Sequence, residues 1–245
     1  MIKMGRQILD KQTWLKHRIE LNGSYGYSED WKTIIKLFEN RIKDFYFVPI
    51  NDILRPNNRK GEGFSVLTLQ CALIEMFAAF KQGKIHTHKR PKKGEKRPTY
   101  EYYDSDKCFV EFLESEDVFE NQFFMKDKET NIITSHPIFD AKEFYGKVRC
   151  GLMHEARTKE DWLISAAEPE KDDVTKFLFY NESDKTKKIN RTILQKQLEK
   201  YFSSYIIKLS IEDAEGQSLR RLLARKLDHL NDVPAELSFD WWKEQ

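Results

Sequence analysis

The chain has 245 residues, of which 40% are hydrophobic, 13% aromatic and 33% charged, and 42 Lys and Arg oppose 40 Asp and Glu for a formal net charge of +2. That suits one large domain, or one domain with an appended lobe, with a real core and well-solvated faces. A balance so close to neutral gives no argument by itself for a nucleic-acid partner, and three widely spaced cysteines (Cys71, Cys108, Cys150) with no Cys-x-x-Cys pair support neither a disulfide framework nor a zinc ribbon.

The first residues, MIKMGRQILDKQTWLK, lack the uninterrupted apolar stretch of a signal peptide. Cysteines that read as reduced thiols point to a cytoplasmic setting. Ser28, followed by Glu29 and Asp30, reads as a helix start, with a capping oxygen and then carboxylates near the positive end of the dipole. Trp31, Ile34, Ile35, Phe38, Ile42 and Phe45 continue it at helical spacing. Pro49 opens a short new turn, and 55-RPNNRKGEG-63 is a polar connection. The segment 64-FSVLTLQCALIEMFAAF-80 is too short for a membrane span and carries Gln70 and Glu75, so it is expected to be a core helix. Glu75 lies on its one mixed stripe, with Ser65, Thr68, Ala72, Ala79 and Gln82. A lone carboxylate there is costly unless something meets it.

Residues 81–100 read as a basic loop, with eight Lys or Arg between Lys81 and Arg97 against the single acid Glu95. A charge run is usually a solvated segment. Its unmixed sign also fits phosphate contact through Lys84, Lys89, Arg90, Lys92, Lys93, Lys96 and Arg97, with Tyr100, Tyr102 and Tyr103 as stacking surfaces. Such contacts give affinity with little sequence preference. His86-x-His88 has no acidic or cysteine ligand beside it, and the six histidines form no metal-binding spacing, so no metal or cofactor is expected.

A further helical pattern covers 107–119, residues 126–137 read as loop, and Pro137 precedes a helix from about Phe139 to His154. Short strands are expected at Trp162–Ala166, Lys176–Tyr180 and Lys187–Asn190. Two amphipathic helices follow, on Leu194–Leu209 and Leu219–Leu230. Paired tryptophans on a free tail are costly to expose, so Trp241 and Trp242 are expected to dock on the body or on a second subunit. The residues give an all-α class: a helical bundle with a small β-strand insertion and a C-terminal helical pair.

At 148-VRCGLMHEARTK-159, Arg149 and His154 stand with four residues between them near a helix end. The arrangement resembles the HEPN superfamily, whose signature is an arginine, four to six residues and a histidine near the end of a bundle helix. The upstream 143-EFYGK-147 also has a Glu-three-residues-Lys pattern, with Val148 as a one-residue departure before Arg149. The strings 61-GEGFSVLTLQCALIE-75 and AKEFYGKVRCGLMHEARTK at 141–159 carry the likeness, which covers about residues 28–160. It implies a HEPN-like bundle over 1–160. Residues 161–245 lie outside the likeness, and their own pattern puts the small β insertion and the C-terminal helices there, packed on the bundle as one continuous domain. The likeness also implies a metal-independent endoribonuclease, active in defence or toxin–antitoxin settings. Attack by the 2′-hydroxyl would leave a 2′,3′-cyclic phosphate and a 5′-hydroxyl. The implied partners are RNA, a second copy with the motif at the seam, and an antitoxin or other regulatory protein.

The chemistry is sound for these residue types. Histidine exchanges protons near neutrality, and general acid–base help is worth about 10²–10⁴-fold. A planar guanidinium holds phosphoryl oxygens through paired hydrogen bonds. Glu75 is the candidate partner for Arg149 or the histidine. Five positions on an ideal helix turn through about 140°, so Arg149 and His154 would not share a face. Either the helix ends near Gly151, or two subunits complete the site. Three other readings remain open here: a non-catalytic RNA- or nucleotide-binding dimer, a regulatory scaffold, and an ordinary helix end with Arg149 in a salt bridge and His154 at the negative dipole end.

Overall fold

The computed structural model describes residues 8–55, 61–90, 92, 94, 96–119, 122–123, 139–166 and 176–243. The loop expected at 126–137 lies outside them. In chain order the α-helices are α1 (Lys11–Leu21), α2 (Glu29–Ile42), α3 (Val48–Leu54), α4 (Glu62–Gln82), α5 (Ser105–Ser115), α6 (Ala141–Glu143), α7 (Cys150–Glu155), α8 (Arg191–Leu209) and α9 (Ala214–Leu230). π-helical turns occupy Lys43–Phe47 and Phe144–Arg149, and 3₁₀ turns Asp117–Phe119 and Asp240–Trp242. The strands are β1 (Ile85–His86), β2 (Glu101–Tyr102), β3 (Trp162–Ser165), β4 (Leu178–Asn181) and β5 (Thr186–Asn190). Of the described residues 62% are helical and 8% lie in strands, so the protein is mainly α.

The chain forms two compact units interleaved in sequence. The first holds Met1–Phe47, Ala79–Tyr103 and Ser203–Gln245, and the second Val48–Ala78 and Asp104–Phe202. The division falls inside α4 and α8.

In the first unit, Ser28 caps α2 by accepting a hydrogen bond from the Trp31 amide (3.3 Å), and Trp31, Ile34, Ile35, Phe38 and Ile42 are buried, as the spacing predicts. Phe45 departs from that stripe. The π turn adds a residue to the helical repeat, which leaves Phe45 61% exposed beneath the Arg41 guanidinium and turns Phe47 inward. The basic segment is not all loop: β1 and β2 pair in parallel, Ile85 with Glu101 and His86 with Tyr102.

Asp228 on α9 organises this core. Its fully buried carboxylate accepts from Trp14 Nε1 (2.7 Å), Arg18 Nε (2.7 Å) and Nη2 (3.0 Å), Trp241 Nε1 (2.7 Å) and Trp242 Nε1 (2.8 Å). Two oxygens thus meet five donors, which offsets the cost of burying the charge. Trp241 and Trp242 are therefore docked on the body of the protein. Three cations of α9, Arg220, Arg225 and Lys226, also turn inward. Arg220 donates to the carbonyls of Tyr25, Leu209 and Ile211, Arg225 to that of Trp241, and Lys226 to that of Lys84.

In the second unit, β5 lies between β3, parallel to it, and β4, antiparallel to it. The three strands fall close to the predicted positions. Phe144 packs against Phe109, Phe123, Trp162 and Phe177, with ring centroids 5.4–6.4 Å away. Pro49 stands in the first turn of α3, as expected. Helix α4 is 21 residues long and is apolar enough by composition to cross a membrane, so its length does not exclude a span. What marks it as a core helix is that 61% of its most apolar window is buried, and that buried Gln70 finds partners in the Arg191 carbonyl (2.8 Å) and Gln195 (3.3 Å).

Candidate functional site

The helical run carrying the motif begins at Asp140, whose side chain caps it by accepting from the Glu143 amide (2.9 Å). It continues through α6, the π turn and α7 to Glu155, where Ala156 takes a left-handed conformation (φ 54°). The run matches the helix expected over 139–154, apart from the π geometry of Phe144–Arg149. π turns within α-helices are uncommon and frequent at functional sites. The helix does not end near Gly151, so it offers no turn there to redirect His154.

Gly151 has a structural reason. The chain folds back over the helix, with the Lys159 amide donating to the Lys147 carbonyl (3.0 Å) and the Arg157 amide to the Gly151 carbonyl (3.3 Å). A Cβ at Gly151 would lie 2.5 Å from the Arg157 carbonyl oxygen. Glu143 and Lys147 also serve the fold. Glu143 accepts from Lys147 (2.9 Å), from Lys187 of β5 (2.7 Å to each oxygen) and from Trp162 Nε1 of β3 (3.3 Å), while Lys147 also pairs with Glu160.

Arg149 meets Glu75. Nη2 donates to Oε2 at 2.8 Å, with the side chains 17% and 22% exposed respectively. The costly carboxylate of α4 thus has its cation. The guanidinium lies over the Tyr145 ring, 5.4 Å from its centroid. The Tyr145 hydroxyl is 2.7 Å from that of Ser105 at the start of α5, and its ring meets Phe109 edge-on at 5.3 Å. Burial opposes the charge on Arg149, but the Glu75 carboxylate outweighs it and holds the group above its ordinary value. Burial pushes the Tyr145 phenol up, against the pull of Ser105 and Arg149. Cys71, also within electrostatic reach of Arg149, is pushed up to about 12 by its complete burial. Nε and Nη1 of Arg149 make no hydrogen bond among the described residues, so part of the fork remains open.

His154 is exposed on α7 and has no hydrogen-bond partner among the described residues. The structure brings Arg149 and Glu75 together and leaves His154 apart from their hydrogen bonding.

The basic segment belongs to the first unit. Lys89, Arg90, Lys92 and Lys96 are exposed, Lys84 is half-buried, and Lys93 lies outside the described residues. Arg97 donates to Thr87 (3.2 Å) and pairs with Glu101 (3.4 Å). Tyr100 is engaged by Trp242 and Arg225, and Tyr102 by His86, which leaves Tyr103 the most open of the three tyrosines.

The chain matches no family model, no curated protein and no solved structure. Sequence reasoning missed Tyr145 and Ser105. The position of Tyr145, four residues before Arg149, is a signal for a shared helix face. No sequence pattern singles out Ser105.

Proposed function

We propose that this protein is a HEPN-type, metal-independent endoribonuclease in which Arg149 clamps the phosphate, Glu75 orients Arg149 and His154 is the general acid/base. The observation carrying this reading is the Arg149–Glu75 pair: a guanidinium held from behind at 2.8 Å, half-buried, with N–H groups still open. Such a group, fixed before substrate arrives, is suited to charge developing on phosphoryl oxygens. His154 supplies the side chain that exchanges protons near neutral pH.

On an ideal α-helix, Arg149 and His154 would leave about 140° apart. One phosphate then meets both most simply when two subunits each offer a motif, so the active form is a homodimer with Arg149 and His154 at the seam. Lys89, Arg90, Lys92 and Lys96 hold RNA through its backbone, and the three free cysteines suit a reducing, cytoplasmic setting. A defence or toxin role, with an antitoxin-like partner, follows from the family resemblance alone. The test is end-group analysis of total RNA digested in excess EDTA. Fragments with 2′,3′-cyclic phosphate and 5′-hydroxyl ends support the mechanism, whereas 5′-phosphate ends refute it.

A second reading is supported by His154 itself. General bases are commonly oriented by another group, and no described residue bonds this ring. A HEPN-like dimer that binds RNA without cutting it accommodates that exposure, and requires RNA affinity to survive replacement of His154.

A further inference from the structure

Three helical segments of the second unit converge on one guanidinium. From α4, Glu75 takes the Nη2 corner at 2.8 Å. From the π turn, the Tyr145 ring lies against the cation at 5.4 Å, within the roughly 6 Å over which a ring attracts a cation. From α5, Ser105 and Phe109, one helical turn apart, fix Tyr145 at its hydroxyl (2.7 Å) and at its ring edge (5.3 Å). A guanidinium is a planar fork of five N–H donors. With one corner held and the ring against it, the plane has little freedom to rotate.

We infer that Tyr145 is a positioning residue for Arg149: Ser105 sets the phenol, the ring sets the guanidinium plane, and the N–H groups that Glu75 does not take are left to receive a tetrahedral oxyanion, the phosphodiester of an RNA strand. This rests on the reading of Arg149 as a phosphate clamp. A burial-raised phenol stays neutral at pH 7, so the ring adds no charge to repel that phosphate. Tyr145 acts through Arg149 and not on the substrate, and its effect must vanish when the guanidinium is gone.

The test is a double-mutant cycle on full-length protein, read by fluorescence anisotropy with a short 2′-O-methyl RNA oligonucleotide that 2′-hydroxyl attack cannot cleave. Tyr145→Leu is expected to weaken binding about fivefold when Arg149 is present and to change nothing in the Arg149→Gln background. Tyr145→Phe, which keeps the ring and loses the Ser105 contact, should stay within about twofold of wild type, and Ser105→Ala should match it. If Tyr145→Leu does not fold, Tyr145→Met, which also removes the ring but fills the space adaptably, carries the cycle with the same expected result. Equal losses in both backgrounds, or no loss in either, overturn the positioning role while leaving the clamp standing. Wild-type affinity in Arg149→Gln, or no binding by wild type, removes the clamp reading and the positioning role with it.

Discussion

Glu75 and Arg149, 74 residues apart in sequence, form a 2.8 Å ion pair in the second unit, and it is made by the one carboxylate in an otherwise apolar stretch of α4. Glu75→Gln keeps the size and a hydrogen-bond acceptor but removes the charge that orients the guanidinium. Cleavage is expected to fall about tenfold, the equivalent of ~1.4 kcal/mol, with little change in thermal midpoint. Unchanged kcat/KM would exclude Glu75 from the site.

Asp228 has five donors on two buried oxygens, so Asp228→Asn both removes charge and turns an amide N–H₂ toward indole and guanidinium N–H groups. Breaking a buried ionic network in this way costs about 3–5 kcal/mol. Urea denaturation should report a loss on that scale, and a loss under about 0.5 kcal/mol would contradict the role assigned to Asp228.

Two glycines of the motif helix make opposite predictions. Gly151→Ala places a methyl 2.5 Å from the Arg157 carbonyl oxygen, whereas a Cβ at Gly146 meets nothing within 4 Å. Gly151→Ala should destabilise by about 1–3 kcal/mol. Gly146→Ala should be neutral or stabilise by up to about 1 kcal/mol. Thermal melts of the two variants side by side decide the matter.

Glu143 gives a pH dependence. Burial opposes its ionisation, but Lys187 and Lys147 outweigh it, so the carboxyl titrates below its ordinary value of 4.5. A depressed carboxyl contributes stability that is fully present above the unfolded value and is lost as pH falls through the folded one. The stability difference between wild type and Glu143→Gln should therefore be flat above about pH 6 and shrink below about pH 4. A difference independent of pH down to about 3 would show that the ion pairs contribute nothing net.

What the sequence revealed was local or costly. Ser28 before two acids announces a helix start within four residues, and the strands at 162–190 alternate between turn residues. The need for a partner at Glu75 and the docking of Trp241 and Trp242 follow from what isolation would cost. What stayed hidden depends on tertiary choice. Nothing in the sequence says that Asp228 collects Trp14 and Arg18, or that Arg220, Arg225 and Lys226 spend their donors on backbone carbonyls. The π turns left no mark that spacing alone could find. At Lys43–Phe47 the added residue moved Phe45 from the core to solvent. Spacing could place Tyr145 beside Arg149, but not its contact with Ser105, forty residues upstream.

The measurement that bears most directly on a nuclease centred on Arg149 and His154 is digestion of total RNA in excess EDTA by wild type and by a folded His154→Ala variant. Cleavage by wild type alone is the predicted result. Equal cleavage by both would place the activity elsewhere, and VRCGLMHEARTK would then be an ordinary helix end.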